Sequence, residues 1–294
     1  MEIDKEKILQ AGKIASQVRE YARKFIKKGM PLKEIADRME EKMAELGGKP
    51  AFATCLSIDD AAAHYIPYHD DKTIADGILK VDFGVHVDGW IADTAFSIDL
   101  EDSDKNRKII KSSEEALENA IKKIKKGVKI SEIGEAIEST ISAYGLNPIT
   151  NLFGHSVEQY ELHAGISIPN FDNKNNSQIQ EGLYAIEPFA TNGNGSVGNG
   201  KPSATYLLVD DKNVRSNTAR QVLRFIIDEY KTLPFCSRWL VKKFGTNALI
   251  ALKHLEENGN VRNYPVLMEI SGGKVSQTEH TILVEDDKIT VTTL

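Results

Sequence analysis

Apolar residues recur at helical spacing through the first part of the chain. From Ile8 to Val18 they follow one another at steps of three or four, with charged residues between them, which is typical of a helix that buries one face. Gly29 ends this pattern, and a second helix is predicted over about 32–46. The same spacing predicts later helices over about 104–125, 131–144 and 216–257.

Runs of apolar and β-branched residues predict the strands. The clearest lie within residues 78–100, where two strands are joined by Asp88–Gly89, a strong hairpin signal. Two helices followed by strands occur twice along the chain, which hints at an internal duplication without a residue-level repeat. Shorter strands are predicted at 51–58, 149–152, 160–168, 182–190, 264–270, 275–285 and 289–293.

A Gly- and Asn-rich stretch marks the one internal boundary that the pattern suggests. Residues 190–202, ATNGNGSVGNGKP, are predicted to form a flexible loop. Beyond this loop, the helical block lies between two strand-rich pieces. This order predicts a helical domain that is inserted into an α/β or α+β domain.

Composition narrows the class of protein. The chain has 294 residues, 41% of them hydrophobic, with 37 Lys and Arg against 43 Asp and Glu. This is ordinary for a globular protein of one large or two modest domains, and the net charge of −6 argues against a general nucleic-acid binder. Two cysteines form no disulfide framework, which favours a reducing compartment. The sequence shows neither a signal-peptide pattern nor an apolar run of membrane-spanning length, so we expect a cytoplasmic protein without a membrane partner.

Two acidic residues break the apolar pattern of the predicted hairpin. If Asp88–Gly89 is the turn, Asp82 lies opposite Ala95, and Asp93 shares their face of the sheet. The two acids would then be diagonal neighbours, about 7–8 Å apart at the backbone. Buried acids this close persist when a cation lies between them or when one is protonated; the alternative is that both lie on a solvated face.

Further ionisable residues interrupt strand-like segments later in the chain. His155 and His163 lie in GHSVEQYELHAG, Glu187 in LYAIEPF and Glu279 in VSQTEHTILV. Such breaks tend to mark functional sites. Two Asp, two Glu and one His form an oxygen-rich set that suits Mn²⁺, Co²⁺, Fe²⁺ or Zn²⁺ in a two-metal site, and Mg²⁺ less well. Such a site polarises a carbonyl and generates hydroxide near neutral pH, which indicates hydrolysis.

Five segments of the chain carry a recognisable pattern: AAAHYIP (61–67), KVDFGVHVDGWIADTAFS (80–97), GHSVEQYELHAG (154–165), YAIEPFA (184–190) and SQTEHTILV (276–284). Together they resemble one known family, the type 2 methionine aminopeptidases, in the short form typical of archaea that lacks an N-terminal extension. The resemblance implies an α+β pitta-bread fold with pseudo-twofold symmetry and an inserted helical subdomain. The catalytic domain would then comprise residues 1–194 and 272–294, and the insertion residues 195–271.

The resemblance also implies roles for the ionisable residues, because each matches a position of the family pattern. Asp93 and Glu279 match carboxylates that bridge two divalent metal ions, and Asp82 matches a bidentate ligand. His155 and Glu187 complete the shell of the other ion. No metal-ligand position departs from the family pattern.

Residues of the substrate pocket follow from the same resemblance. His64 matches a histidine near the scissile bond, and His163 matches one that contacts the substrate carbonyl and peptide nitrogen. Phe52, Leu162 and Tyr264 match positions that line the apolar pocket for the methionine side chain. Glu187 is also implied as the proton shuttle.

The implied activity is removal of the N-terminal methionine from nascent proteins and peptides with a small second residue, by a hydroxide that two metal ions activate. The expected partners are nascent polypeptide N-termini. The basic run KKIKKG (122–127) is interpreted first as a solvated helix end, where cations suit the helix dipole, and second as a surface for a transient contact with the ribosome. The family favours a monomer.

Three alternatives remain open in the sequence. Gly193, Gly195 and Gly198 satisfy a nucleotide-binding glycine pattern, but Pro202 stands where a magnesium-binding hydroxyl is needed, and a strand rather than a helix is predicted to follow. Proline dipeptidases share the five ligands, although they usually carry an additional N-terminal domain. A binding protein could keep the fold without catalysis, but such relatives typically lose ligands.

Overall fold

The helices fall into two early pairs and a later group of three. The structure, a computed structural model, describes residues 3–286 and 288–294, so residues 1, 2 and 287 of the predicted domain segments lie outside it. No helix within these described ranges is both long enough and apolar enough to cross a bilayer. The helices are α1 (Lys5–Phe25), α2 (Leu32–Glu45), α3 (Asp104–Lys123), α4 (Ile130–Ala143), α5 (Asn217–Tyr230), α6 (Ser237–Phe244) and α7 (Asn247–Glu257).

The strands form sheets of nine, three and four strands within the described residues. The nine-stranded sheet carries the site residues, and its main path runs β1-β4-β5-β15-β9-β7-β8. The strands are β1 (Lys49–Pro50), β2 (Cys55–Ile58), β3 (Ala61–Ala63), β4 (Ile78–Val87), β5 (Trp90–Asp99), β6 (Asn147–Pro148), β7 (Phe153–Val157), β8 (Ser167–Pro169), β9 (Gly182–Ile186), β10 (Phe189–Thr191), β11 (Val197–Leu208), β12 (Phe235–Cys236), β13 (Val261–Glu269), β14 (Val275–Gln277), β15 (Glu279–Val284) and β16 (Ile289–Val291).

The predicted hairpin of residues 78–100 is confirmed. Strands β4 and β5 pair over their whole length, and Asp82 lies opposite Ala95. Asp88 and Gly89 form the turn with positive φ angles of 48° and 86°, the backbone that a two-residue hairpin requires. The turn therefore fixes the register, and with it the face on which each acid lies.

Each early helix pair packs on one half of the large sheet. Helices α1 and α2 share a core with β4 and β5, in which Phe83 and Phe96 are buried. Helices α3 and α4 share a second core with β9 and β15. Burial of one large apolar side chain contributes about 2 kcal/mol to the free energy of unfolding. The apolar faces predicted from the sequence therefore hold both helix pairs against the sheet.

Two of the predicted short strands lie elsewhere than predicted, and side-chain hydrogen bonds rather than a strand ladder help to hold residues 149–152. Residues 149–152 lie between β6 and β7. Asn151 forms two hydrogen bonds of 2.8 Å with the backbone of Val197, and Asn170 donates to the carbonyls of Ile149 and Leu152. Of the predicted strand 160–168, only the end belongs to a strand, β8.

The flexible loop predicted at 190–202 is wrong over its second half. Strand β11 begins at Val197 and pairs with β13, with two register shifts along the way. Gly200 lies against β13 so closely that a Cβ atom there would meet the Met268 Cγ atom at 2.7 Å. The glycines therefore permit close strand pairing, a use of glycine that composition alone does not distinguish from flexibility.

Helices α5, α6 and α7 lie in the chain between β11 and β13, and an ionic network joins this group to α2. The buried Arg238 guanidinium donates to Glu40 at 2.7 and 3.0 Å and to Asp37 at 2.5 Å. Trp239 also donates to Glu40, at 2.7 Å. A bidentate, largely buried pair of this kind fixes geometry, and it holds the helical group beside the sheet.

Candidate metal centre

One row of residues across the nine-stranded sheet brings three acids together. Asp82 on β4 lies opposite Ala95 on β5, and Ala95 lies opposite Glu279 on β15. Glu187 comes directly after β9, whose last residue pairs with the residue that follows Glu279. Strand pairing therefore places acids from three segments, far apart in sequence, in one line on one face.

A second row lies two residues further along the same face. It contains Asp93 on β5 and His155 on β7, with Thr281 and Ala185 between them. The Thr281 hydroxyl donates to the backbone carbonyl of Asp93 at 2.8 Å. The residues between the ionisable groups, including Ala95 in the first row, are small, so space remains above the sheet.

The imidazole of His155 turns one nitrogen toward the acids. Its Nε2 atom lies 3.8 Å from Asp93 Oδ2 and 4.0 Å from Glu187 Oε1. Its Nδ1 atom lies 3.4 Å from the carbonyl of Ser156, which favours a proton on Nδ1 and a free lone pair on Nε2. Ligand atoms of Asp93, His155 and Glu279 all lie within 4.8 Å of one another.

Among the described residues, no Lys or Arg forms an ion pair with the acids of this face. Buried Oδ1 atoms of Asp82 and Asp93 have no hydrogen-bond partner among the described residues. Burial raises the pKa of Asp82 to about 7. Burial and the neighbouring carboxylates raise the pKa values of Asp93, Glu187 and Glu279 well above their usual range. These unpaired oxygens could coordinate a divalent cation. The carboxylates and the imidazole present therefore fit the predicted metal cofactor.

A pH dependence of stability follows from these shifts. A carboxyl whose pKa is raised by folding contributes stability that is present below its unfolded value, 3.8 for Asp82, and that is lost as pH rises through about 7. The site histidines have lowered pKa values, so their own contribution to the pH dependence fades as pH rises past the ordinary histidine pKa of about 6.5. We expect the chelated protein to lose thermal stability as pH rises through about 7, where Asp82 ionises in the folded state.

Added Mn²⁺ should reverse this loss, because the ion binds the deprotonated ligands of the folded state. The increase in melting temperature on adding Mn²⁺ should therefore grow with pH, and thermal unfolding with and without a chelator at each pH measures it. An increase that stays constant across this pH range would contradict the assignment of the raised pKa values to the metal centre.

The acids lie in a cavity of about 410 Å³ that all ten predicted site residues line. The rings of His155 and His163 meet edge to face with centroids 4.4 Å apart, and those of His64 and Tyr264 with centroids 5.8 Å apart. Burial lowers the pKa of His64 to about 4 and that of His155 to about 3, and it also lowers the pKa of His163. All three rings are therefore neutral near pH 7. The ten residues are Phe52, His64, Asp82, Asp93, His155, Leu162, His163, Glu187, Tyr264 and Glu279.

Several residues of the site carried no assigned role in the sequence analysis. Gln277 donates from Nε2 to Asp82 at 3.2 Å and to Glu187 at 3.3 Å. The sequence feature that could have identified Gln277 is its position two residues before Glu279, which places both on the same face of the predicted strand. Further cavity-lining residues had no local signal, because distant strands and loops contribute them: Ile66, Leu152, Phe153, Phe189, Thr205 and Pro234.

The glycine-rich loop at residues 193–195 uses its amide groups internally. The amides of Asn194 and Gly195 donate to Glu269 Oε1 at 2.6 and 3.2 Å. A Cβ atom on Gly193 would lie 2.4 Å from that carboxylate. A carboxylate of the chain thus occupies the place that a phosphate takes in a nucleotide-binding loop, and a strand follows it, as the sequence predicts.

The sequence profile of metallopeptidase family M24 matches residues 6–224. The chain belongs to this family. The methionine aminopeptidase of Pyrococcus horikoshii is 48% identical over 297 residues, a match that covers 99% of this chain and all of the relative. At this identity and coverage, the M24 chain belongs among the methionine aminopeptidases, and the resemblance seen in the five segments is confirmed.

Solved structures agree on the fold of this M24 peptidase. A thermophilic Arx1 superposes with a TM-score of 0.84 at 16% identity, covering 98% of this chain and 89% of that one. The prolidase of Pyrococcus furiosus superposes with a TM-score of 0.63 at 19% identity, covering 98% of this chain and 63% of that one. Identities this low establish the fold alone. The predicted α+β pitta-bread fold is confirmed.

Proposed function

We propose that this M24 peptidase removes the N-terminal methionine from nascent proteins and peptides with a small second residue. Membership among the methionine aminopeptidases supports the activity. The observation that carries the chemistry is the convergence of four carboxylates and one imidazole on one sheet face inside a cavity. Bound divalent ions there would polarise the scissile carbonyl and provide hydroxide near neutral pH.

The proposed metal ligands are the five residues of the two rows. Asp93 and Glu279 would bridge two ions, Asp82 would hold one of them, and His155 and Glu187 would complete the shell of the other. The unpaired oxygens of the aspartates and the open Nε2 atom of His155 support this assignment. Mn²⁺, Co²⁺, Fe²⁺ and Zn²⁺ all suit such a mixed oxygen and nitrogen set.

Histidines and one acid are proposed to act on the substrate. His163 packs against His155, and as a neutral ring it can donate a hydrogen bond to the oxygen of the scissile carbonyl as charge develops there. Glu187 is proposed to carry a proton to the departing amine. His64 is proposed to lie beside the scissile bond, since it lines the same cavity and its buried Nδ1 atom has no partner among the described residues.

The methionine side chain is proposed to lie against Phe52, Leu162 and Tyr264. All three line the cavity together with the acids. Phe52 reaches this place because Gly84 leaves room for it: a Cβ atom on Gly84 would lie 2.6 Å from the Phe52 ring. An apolar wall of this kind suits a thioether.

Several finer features complete the proposal. The catalytic domain is assigned to residues 1–194 and 272–294, and the insertion to residues 195–271. The protein is proposed to act as a cytoplasmic monomer on nascent-chain N-termini, with a transient ribosome contact through residues 122–127. The internal use of the glycine-loop amides by Glu269 supports a protein without a nucleotide partner.

Release of free methionine tests the activity. We expect the protein to liberate methionine from Met-Ala-Ser with a divalent ion present, and to lose this activity in excess chelator because the ions supply the nucleophile. Peptides with a bulky second residue should be poor substrates. Cleavage of an X-Pro dipeptide in place of Met-Ala-Ser would favour a prolidase, and metal binding without cleavage of either would favour a binding protein.

A further inference from the structure

Gln277 is a buried residue that joins two acids from opposite sides of the centre. Its Nε2 atom donates to Asp82 Oδ2 at 3.2 Å and to Glu187 Oε2 at 3.3 Å. A carboxamide nitrogen carries two protons, so each acid can receive one. Asp82 and Glu187 come from β4 and from the end of β9, strands that are separated in the sheet by β5 and β15.

The surroundings of Gln277 hold this amide in place. Its side chain is buried, with 1% of the residue exposed. The Ser97 hydroxyl donates to the backbone carbonyl of Gln277 at 2.9 Å and accepts from its backbone N–H at 3.0 Å. Gln277 also pairs with Phe189 on β10. The backbone of Gln277 is therefore fixed between β5 and β10. Because the side chain is also buried, it has little freedom to leave the two acids.

We propose that Gln277 is a positioning residue that sets the separation of the two metal ions. The inference rests on the proposed function, in which Asp82 holds one ion and Glu187 the other. Because one nitrogen holds one oxygen of each ligand, the other oxygen of each, Asp82 Oδ1 and Glu187 Oε1, is left available to an ion. Gln277 is neutral, so it performs this task without adding a fifth acid or a competing cation to the site.

Two substitutions separate this role from simple packing. Gln277→Met keeps the volume but removes both donors, whereas Gln277→Ala removes the volume and the donors. If Gln277 orients the ligands, both variants should bind Mn²⁺ about 10- to 100-fold more weakly, the usual cost of losing a residue that holds metal ligands. The visible absorption bands of the Co²⁺-loaded protein should shift in both variants, because the arrangement of ligands has changed.

Isothermal titration of the metal-free protein with Mn²⁺ measures the affinity, and Gln221→Met is the matched control because Gln221 lies exposed on α5. Its affinity and Co²⁺ spectrum should equal those of the unsubstituted chain. Ser97→Ala should show a smaller loss in the same direction, and it keeps the test available if Gln277→Met does not fold.

The outcomes are separable. Unchanged Mn²⁺ affinity and an unchanged Co²⁺ spectrum in Gln277→Met, with or without a defect in Gln277→Ala, would overturn the positioning role and leave the proposed function standing. Failure of the unsubstituted chain to bind Mn²⁺ or Co²⁺ would overturn the proposed function and this inference together.

Discussion

Asp93→Asn should reduce kcat/KM for methionine release from Met-Ala-Ser by about 10³-fold or more, since metal ions contribute several kcal/mol of transition-state stabilisation. Asp93 lies 3.8 Å from the His155 imidazole, and its buried Oδ1 atom has no hydrogen-bond partner within residues 3–286 and 288–294. An amide of the same size cannot bridge two cations. Steady-state kinetics with saturating Mn²⁺, together with the metal content of the purified variant, measure the effect.

The fold should survive this change, because burial and the nearby Asp82 carboxylate already raise the pKa of Asp93 far above its usual range. Without a cation, a neutral side chain is the better fit, so the chelated variant should melt at or above the temperature of the chelated parent protein. Asp88→Asn is the matched control. Asp88 is exposed in the hairpin turn, where Asn-Gly is equally suitable, and activity should be unchanged. Retained activity in Asp93→Asn would show that the hairpin acids are not metal ligands.

His163→Ala should lower kcat by about 10²- to 10³-fold, the usual cost of removing one donor to a developing oxyanion. The ring of His163 lies beside that of His155 rather than between the acids. Its lowered pKa keeps it neutral near pH 7, so it can donate one proton without carrying charge. KM and the bound metal should change little, because the interaction forms in the transition state.

Kinetics and metal analysis of the same preparation decide this point. His254→Ala removes an exposed imidazole from α7 and should leave both quantities unchanged. If His163→Ala lost metal and activity together, His163 would belong to the structure of the centre rather than to the stabilisation of the substrate carbonyl.

Local sequence patterns predicted the parts of the fold that local physics governs. The early helices and the hairpin were predicted to within a few residues, because apolar periodicity and the Asp88–Gly89 turn both act over short distances. Segment 190–202 shows the opposite case. Its glycines are needed for contacts with β13 and Glu269, residues more than 60 positions away, so no local pattern could distinguish a close contact from a flexible loop.

The candidate site divides in the same way. The alternation of β4 and β5 was sufficient to place Asp82 and Asp93 on one face, but it left a cation and a solvated face as alternatives. Gln277 had no visible task in the sequence, because its two partners lie 195 and 90 residues away. Only side-chain positions show that one amide reaches both.

The amino-acid sequence by itself determined which residue types the chain offers to a metal, and the face of the hairpin on which two of them lie, because strand alternation and a tight turn are local constraints. The tertiary structure decided that β7, β9 and β15 join that hairpin in one sheet and bury the acids, with one oxygen of Asp82 and one of Asp93 left without a hydrogen-bond partner in the described part of the chain. Pairing between distant strands depends on the packing of the whole core, and that packing brings four carboxylates into one cavity.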